Sequence, residues 1–506
     1  MQYNKFLPEL DCGDSRINKR AKSVIDSITL SPNKTIPHAM GNWADTKGCY
    51  RLLSSDKLTT KSLIKSNLNI TCKNLLNIPD NSLILASNDT CELNFNNLES
   101  ASDELGYISD NRSKGLILHN LLFTQTDGVP VGVPNQQIFV RKKGSKQKSN
   151  TKNKTKKIED KESYKWIQSV KTINKIKDRE ELKDKNLTYL VVADRESDIY
   201  QIFDESLKHK NIELLIRSYH NREFKEVSDG NKKDKINRIN SIENSNKKLI
   251  DTITIKLSKK RPNGVDEIKA KVYFKKLLLQ KPKSLKKDNN IKDEIQVNYI
   301  EVIEIAKSNS SQLKDYDKNY KIQWKLITTL DIKTDKQQVL KSKNLKLNVL
   351  KIVDYYTKRW IIERFHYILK SGCNIEKLKL RELSRIEKAI HLYSISAIQI
   401  LYLTYSKRVY TQTKIKDVIP IDDWKLLYLL VTQRTKKHKI QNIKKIPKNI
   451  LEATVDKYIL YLAILGGYLN RKHDKQPGLK VIWRGLKDFD IARNTRTALK
   501  TGLMGN

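Results

Sequence analysis

The sequence predicts a mixed α/β protein in which helical segments at both ends enclose a strand-rich middle, itself interrupted by an antiparallel insertion. Three observations carry this. Residues 1–75 and the stretch beyond about 410 have helical texture. From about residue 80, apolar runs such as "SLILAS", "GLILHNLLF" and "LTYLVVAD" have the length and flanks of strands. Between about 219 and 345 the text turns Lys-rich, with alternating strands "LIDTITIKL", "IKAKVYF", "VNYIEVIEIA" and "IQWKLITTL".

Taken in order, "DSRINKRAKSVIDSI" and "DKLTTKSLIKSN" are helices with cap residues, separated by the turn formers "SPNK" and "GNW". "SLILAS" ends at Asn88-Asp89, and "TQTDG" joins the next two strands as a hairpin turn. Residues 141–157 hold nine basic residues and no acidic one, a loop that either rides on phosphates or is simply solvated. A helix follows over 160–177, then a buried strand ending at Asp194, a helix from "RESDIYQIFDESL" and the strand "IELLIRS". After the insertion, "YYTKRWIIERFHYILKSG" (355–372) reads as one amphipathic helix. Its polar stripe of Tyr356, Arg359, Glu363 and Lys370 falls within roughly 60° at about 100° per residue, on the side expected to face solvent.

Composition narrows the class. At 506 residues, two to four domains are expected. The balance of 98 Lys plus Arg against 57 Asp plus Glu gives +41, which attracts a polyanion, most commonly nucleic acid, although a Lys- and Asn-rich coding bias inflates it. Five widely spaced cysteines without a C-x-x-C pair argue for reduced thiols in a cytosolic protein, against a disulfide framework and against a zinc ribbon. The N-terminus has no signal-peptide core. Residues 389–406 lack charge over a membrane-like length, yet His391, Gln399 and several hydroxyls favour a buried helix.

The P-loop, H-E-x-x-H and G-x-S-x-G motifs are absent. What remains are acids at special places: Asp89 and Asp194 at strand ends and Glu363 on the striped helix. Capping of the next helix competes as a reading for Asp194. Together the three could hold two hard divalent cations, Mg2+ or Mn2+, that activate a nucleophile and stabilise a leaving phosphate oxygen.

Four ordered stretches carry a resemblance. Tyr356, Arg359, Glu363 and Lys370 stand in the pattern Y-x2-R-x3-E-x6-K, "SNDTCELNF" holds an Asp89-Thr90 pair, "VVADRESDIY" holds D-R-E-x-D, and "CGDSRINKR" is followed by "GCYRLLSSD". The chain resembles the DDE transposases of the fourth insertion-sequence family, those with the YREK motif, whose best-known member serves a bacterial kanamycin-resistance composite transposon. "WKLLYLL", "ILGGYL" and "IWRGL" extend the likeness to about residue 490.

The resemblance implies an RNase H-like catalytic core with an inserted antiparallel β-sheet, flanked by N- and C-terminal α-helical domains. Residues 1–75 would bind DNA ends, 76–410 would be catalytic with the insertion at 219–345, and 411–506 would dimerise. Asp89, Asp194 and Glu363 would be catalytic and bind two metal ions. Tyr356, Arg359, Lys370 and Arg217 would contact DNA, with Trp324 stacking a base. The partners would be transposon ends, target DNA and a second copy, in the cytoplasm at the nucleoid. The sequence departs from the pattern at Tyr367, where a relative has lysine, and in its long basic loop. The rival readings are an RNase H-like nuclease or resolvase, a non-catalytic inhibitor of transposition, and a basic packaging protein.

Overall fold

The structure, a computed structural model, describes residues 10–98, 103–109, 112–141, 156–228, 231–257, 261, 266–305, 321–332, 338–409, 414, 420–438, 454–471, 474 and 476–502. Most of the basic loop, 142–155, lies outside them. The chain forms two compact units, one of Met1–Asn77, Thr90–Gln147 and Ile361–Asn506, the other of Ile78–Asp89 and Lys148–Trp360. Strand β1 (Leu83–Asn94) contributes its first part to the second unit and its last part to the first.

In the second unit, β1, β5 (Thr188–Ala193) and β6 (Ile212–Arg217) are parallel neighbours. Their cores, "ILAS", "YLVVA" and "LLI", are apolar without alternation because both faces are covered. Helices α5 (Tyr164–Lys177) and α6 (Tyr200–Leu207) pack with β6. α7 (Gln338–Lys358) places Leu345, Val349, Ile352, Val353 and Tyr356 in one core with Leu85, Leu190, Val192, Leu215 and Leu326. Each fully buried aliphatic chain there contributes about 1.5–3 kcal/mol.

The insertion extends this sheet antiparallel. β12 (Gln323–Thr328) pairs with β6, β11 (Glu294–Glu304) with β12, and β10 (Glu267–Gln280) with β11. β7 (Glu223–Ser228) and β9 (Lys248–Lys256) both pair with β10, and β8 (Asn231–Arg238) pairs with β7. The four strands read in the sequence are present. The β7–β8 hairpin is an addition, since its charged text offers no apolar alternation. A buried ion pair pins the insertion: Lys247 Nζ lies 2.5 Å from Glu301, whose other oxygen accepts from Gln323 Nε2 at 2.7 Å.

In the first unit, α1 (Ser15–Leu30), α2 (Ile36–Met40), α3 (Trp43–Ser54) and α4 (Thr60–Leu76) supply the expected short helices. Asp14 caps α1 by accepting from the Arg16 and Ile17 amides. Arg20 pairs with Asp45 at 2.7 Å, and its guanidinium lies where a side chain on Gly48 would clash. β3 (Lys114–Gln125) pairs with β2 (Gly106–Tyr107) and β4 (Pro130–Phe139), and the predicted hairpin turn closes with Gly128 at φ +92°. The unit also contains α8 from Ile361 onward (Trp360–Tyr367), α9 (Leu383–Val409), α10 (Ile421–His438), α11 (Val455–Leu465) and α12 (Leu479–Gly502).

Two expectations need correction. β1 does not stop at Asp89 but continues to Asn94, because residues from Thr90 onward enter the other unit. The helix expected over 355–372 is broken: α7 ends at Lys358, α8 spans Trp360–Tyr367, and a π-turn follows over Ile368–Gly372. Its stripe does not face solvent as a whole, since Tyr356 and Arg359 are buried. No described helix is long and apolar enough to cross a membrane; the uncharged stretch lies in the buried α9.

α9 carries a titration consequence. Burial pushes His391 from its ordinary 6.5 down to about 4. The unfolded chain therefore binds the extra proton first, and this contribution is present above pH 6.5 and lost as pH falls to about 4. The loss amounts to about 3 kcal/mol. Urea midpoints should fall through that window in the wild type, and fall less in His391→Phe.

Candidate active site

The register of the parallel strands fixes the site. β1 and β5 pair as Leu83↔Thr188 through Ser87↔Val192, and β5 and β6 as Tyr189↔Ile212 through Ala193↔Ile216. Continuing each register by one or two residues brings Asp89, Asp194 and Arg217 into one row across three strands. Neighbouring strands lie about 4.8 Å apart, and registered residues point to one face. Asp194 is also a cap, accepting from the Glu196 amide at 3.1 Å, so the capping reading and the row coexist.

α7 covers that same face. The register Leu326↔Arg217 puts Trp324, two residues earlier, on the α7 side, where its ring meets Tyr356 edge-on at 5.3 Å. Trp324 is 8% exposed and Tyr356 3%, so both are also core residues. One residue beyond α7, Arg359 Nη1 lies 3.9 Å from Asp89 Oδ2. Asp89, Asp194, Arg217, Trp324, Tyr356 and Arg359 are thus brought together within one unit.

The electrostatics follow from burial first and from neighbouring charges second. Burial lowers the Arg217 pKa, Tyr356 opposes this, and Arg195 and Arg359 add to it. Burial raises the Tyr356 phenol, which Arg359 and Arg217 pull down and Asp194 pushes up. Arg217 donates through Nη2 to the Gln323 carbonyl at 3.1 Å, while its buried Nε has no hydrogen-bond partner among the described residues. A buried guanidinium donor left open suits an anion such as a phosphate.

Glu363 and Lys370 belong to the other unit. Glu363 is half-buried on α8, between the buried Ile362 and Phe365. Lys370, in the π-turn, donates to the Glu92 carbonyl at 2.8 Å and lies 3.3 Å from Glu376. Tyr367 is about half exposed. α8 is fastened by a buried network that has no local signature in the sequence. His366 Nε2 lies 2.9 Å from Asn120 Nδ2, whose oxygen accepts from Gln136, and Gln136 also reaches Ser394 at 2.8 Å. Because the Asn120 amide donates, His366 Nε2 is the acceptor.

Asp198, the last acid of "DRESD", is a structural residue whose role the sequence left open. It is 1% exposed and takes the Tyr219 and His220 amides at 2.7 and 2.9 Å and the Arg222 guanidinium at 2.6 and 2.8 Å. It thereby ties the turn after Arg217 to the turn after Asp194.

Among the described residues, no group of three or more His, Cys, Asp or Glu could hold a metal ion. The donor chemistry of the pair Asp89 and Asp194 does fit one: carboxylate oxygens in register on neighbouring strands, one within β1 and one just past β5, are hard ligands of the kind Mg2+ and Mn2+ take.

Replacing Asp198 by Ala should leave buried Arg222 uncompensated and cost about 3–5 kcal/mol. Chemical denaturation of the variant measures this, and the double variant Asp198→Ala/Arg222→Leu should recover part of it.

Two family models match the chain. Residues 4–58 match the model described as "Transposase DNA-binding", and residues 166–398 match the one described as "Transposase DDE domain". The first spans α1, α2 and α3; the second includes Asp194, Arg217, Trp324, Tyr356, Arg359, Glu363 and Lys370. A DDE domain implies an RNase H-like core and metal-dependent DNA cleavage. Together the matches support a DDE transposase with a DNA-binding domain.

Proposed function

We propose that the chain is a cut-and-paste transposase of the YREK type that frees its element's ends through a hairpin intermediate and joins them to target DNA. The observation that carries this reading is the registered row of Asp89, Asp194 and Arg217, with Tyr356 and Arg359 packed against it. Acids for a metal and donors for a phosphate stand side by side, as phosphoryl transfer requires.

In this reading Asp89 and Asp194, with Glu363 as the third carboxylate on the strength of the sequence resemblance, hold divalent metal. Bound metal would lower the pKa of a nucleophilic water and neutralise charge on the leaving oxygen. Arg217 and Arg359 hold the phosphate and stabilise the charge that builds on its oxygens. Tyr356 donates its phenolic proton to the same phosphate, which its raised pKa favours because the phenol stays protonated. Lys370 reaches DNA by giving up its pairing with Glu376. Residues 1–75 bind the inverted repeat and residues 411–506 pair two copies.

The direct test uses a duplex carrying the element's end with Mg2+. Asp89→Asn, Asp194→Asn and Glu363→Gln should each abolish nicking while end binding by gel shift is kept. Joining of the cut end to a second DNA separates a transposase from a nuclease. Cleavage retained by any one of the three variants would falsify the assigned triad.

Trp324 tests the hairpin step. Its ring packs on Tyr356, so a flipped base would stack on the exposed margin beside the phosphate donors. Trp324→Phe, chosen to preserve the core, should nick normally yet form hairpins more slowly, and an abasic site at the flipped position should restore the rate. Equal hairpin rates in wild type and variant would leave Trp324 a core residue alone.

A further inference from the structure

The second unit contains a cavity of about 1430 Å³ that the candidate active site does not use. Its walls come from the approach to α5, the turn before α6, the turn after β6, and the turns around Lys283–Leu285 between β10 and β11. Lys156, Lys157, Lys161, Lys283 and Lys287 line it. Among the described residues none of the five makes an ion pair, and all but the half-buried Lys161 are exposed. The other charges are largely spoken for. Arg222 is bound to Asp198 and Arg238 to Glu223 at 2.9 Å. Only Glu159 and Asp288 remain as lining acids, and an Asp288 oxygen already accepts the Asn290 amide. Side-chain amides of Gln201, Asn221, Gln280, Asn289 and Asn290 also line it.

This chemistry selects the occupant. Small-molecule sites are about 300–1,000 Å³ and mostly apolar. The cavity is larger and is lined mostly by charged and amide side chains. A chain of phosphates suits it, because lysines without ion-pair partners can displace the counterions condensed on a polyanion. Its position selects the polyanion further. Asp198 is in the cavity wall and stands four residues after Asp194, so the wall begins within about 14 Å of the candidate catalytic carboxylate. That is about four base-pair steps of 3.4 Å along a duplex.

We infer that this cavity is a second DNA-backbone site, which grips the phosphates of the duplex being processed a few base pairs from the scissile bond. The inference rests on the transposase reading for the identity of the DNA. Asp198 then has two roles, since the buried carboxylate that fastens the turn after Arg217 also forms part of the wall. A duplex held in the cavity aligns its scissile phosphate with the row of Asp89, Asp194 and Arg217 and resists rotation about a single clamp.

The test is the full-length variant Lys156→Gln/Lys157→Gln/Lys283→Gln/Lys287→Gln, which changes four exposed side chains and should melt as the wild type does. Binding of a fluorescein-labelled end duplex is titrated across a salt series. The slope of log K against log salt should become shallower by about 0.9 for each phosphate that the variant no longer neutralises, or about two to four in all. Neutralising Lys183 and Lys210, outside the cavity, should leave the slope unchanged. In a second arm, Asn289→Cys should form a disulfide with a duplex bearing a thiol-tethered phosphate within about four base pairs of the cleavage position and not with one placed ten further away. If wild type binds but the slope is unaltered in the quadruple variant, the cavity is not a DNA site and the transposase reading stands. If wild type shows no salt-dependent DNA binding, both fall.

Discussion

The parallel register of β1, β5 and β6 is the constraint on which the rest depends. A shift of one residue in these parallel strands would send each buried side chain to the layer on the opposite face and carry the charged residues past the apolar runs out of line. The aliphatic content of "ILAS", "YLVVA" and "LLI" therefore sets where Asp89, Asp194 and Arg217 stand. Asp89, Asp194 and Arg217 stand just past the three apolar runs, and in register those runs end together. An acid–acid–guanidinium row follows from hydrophobic packing before any electrostatic term is considered.

Two further devices complete the row. α7 buries its apolar stripe on the sheet and stops one residue short of Arg359, so Tyr356 and Arg359 arrive beside the row. Asp198 then fixes the turn after Arg217 with four short hydrogen bonds from amides and a guanidinium. Such a pair, nearly excluded from water, is stabilising only when every lone pair is used, and here the fit holds the turn in one conformation. Rigid surroundings of this kind are what a site for phosphoryl transfer needs, since positioning supplies much of the rate.

How much of this the sequence disclosed depended on the length scale of each signal. The strands of the parallel core, the antiparallel insertion and the hairpin turn at Gly128 were legible because each has a local signature in apolar runs or turn residues. The passage of β1 beyond Asp89 was not, since "NDTCE" looks like a strand end until pairing in another unit continues it. The break at Arg359 has no glycine or proline to announce it. Tyr356 and Arg359 were expected on a solvent-facing stripe; they are buried because α7 ends against the sheet, a tertiary fact. Asn120, Gln136, His366 and Ser394 sit far apart in sequence and meet only after folding.

We propose that Asp89 and Asp194 share a metal site, with Glu363 as its third carboxylate on the strength of the sequence resemblance. The most direct test is metal-directed cleavage of the protein itself. Fe2+ is bound in place of Mg2+, ascorbate and peroxide generate hydroxyl radicals at the bound ion, and the fragments are mapped by mass spectrometry. The account predicts backbone cuts beside residues 89, 194 and 363, all suppressed together by excess Mg2+. Cuts confined to other regions, or cuts at one of the three that Mg2+ does not suppress, would contradict it.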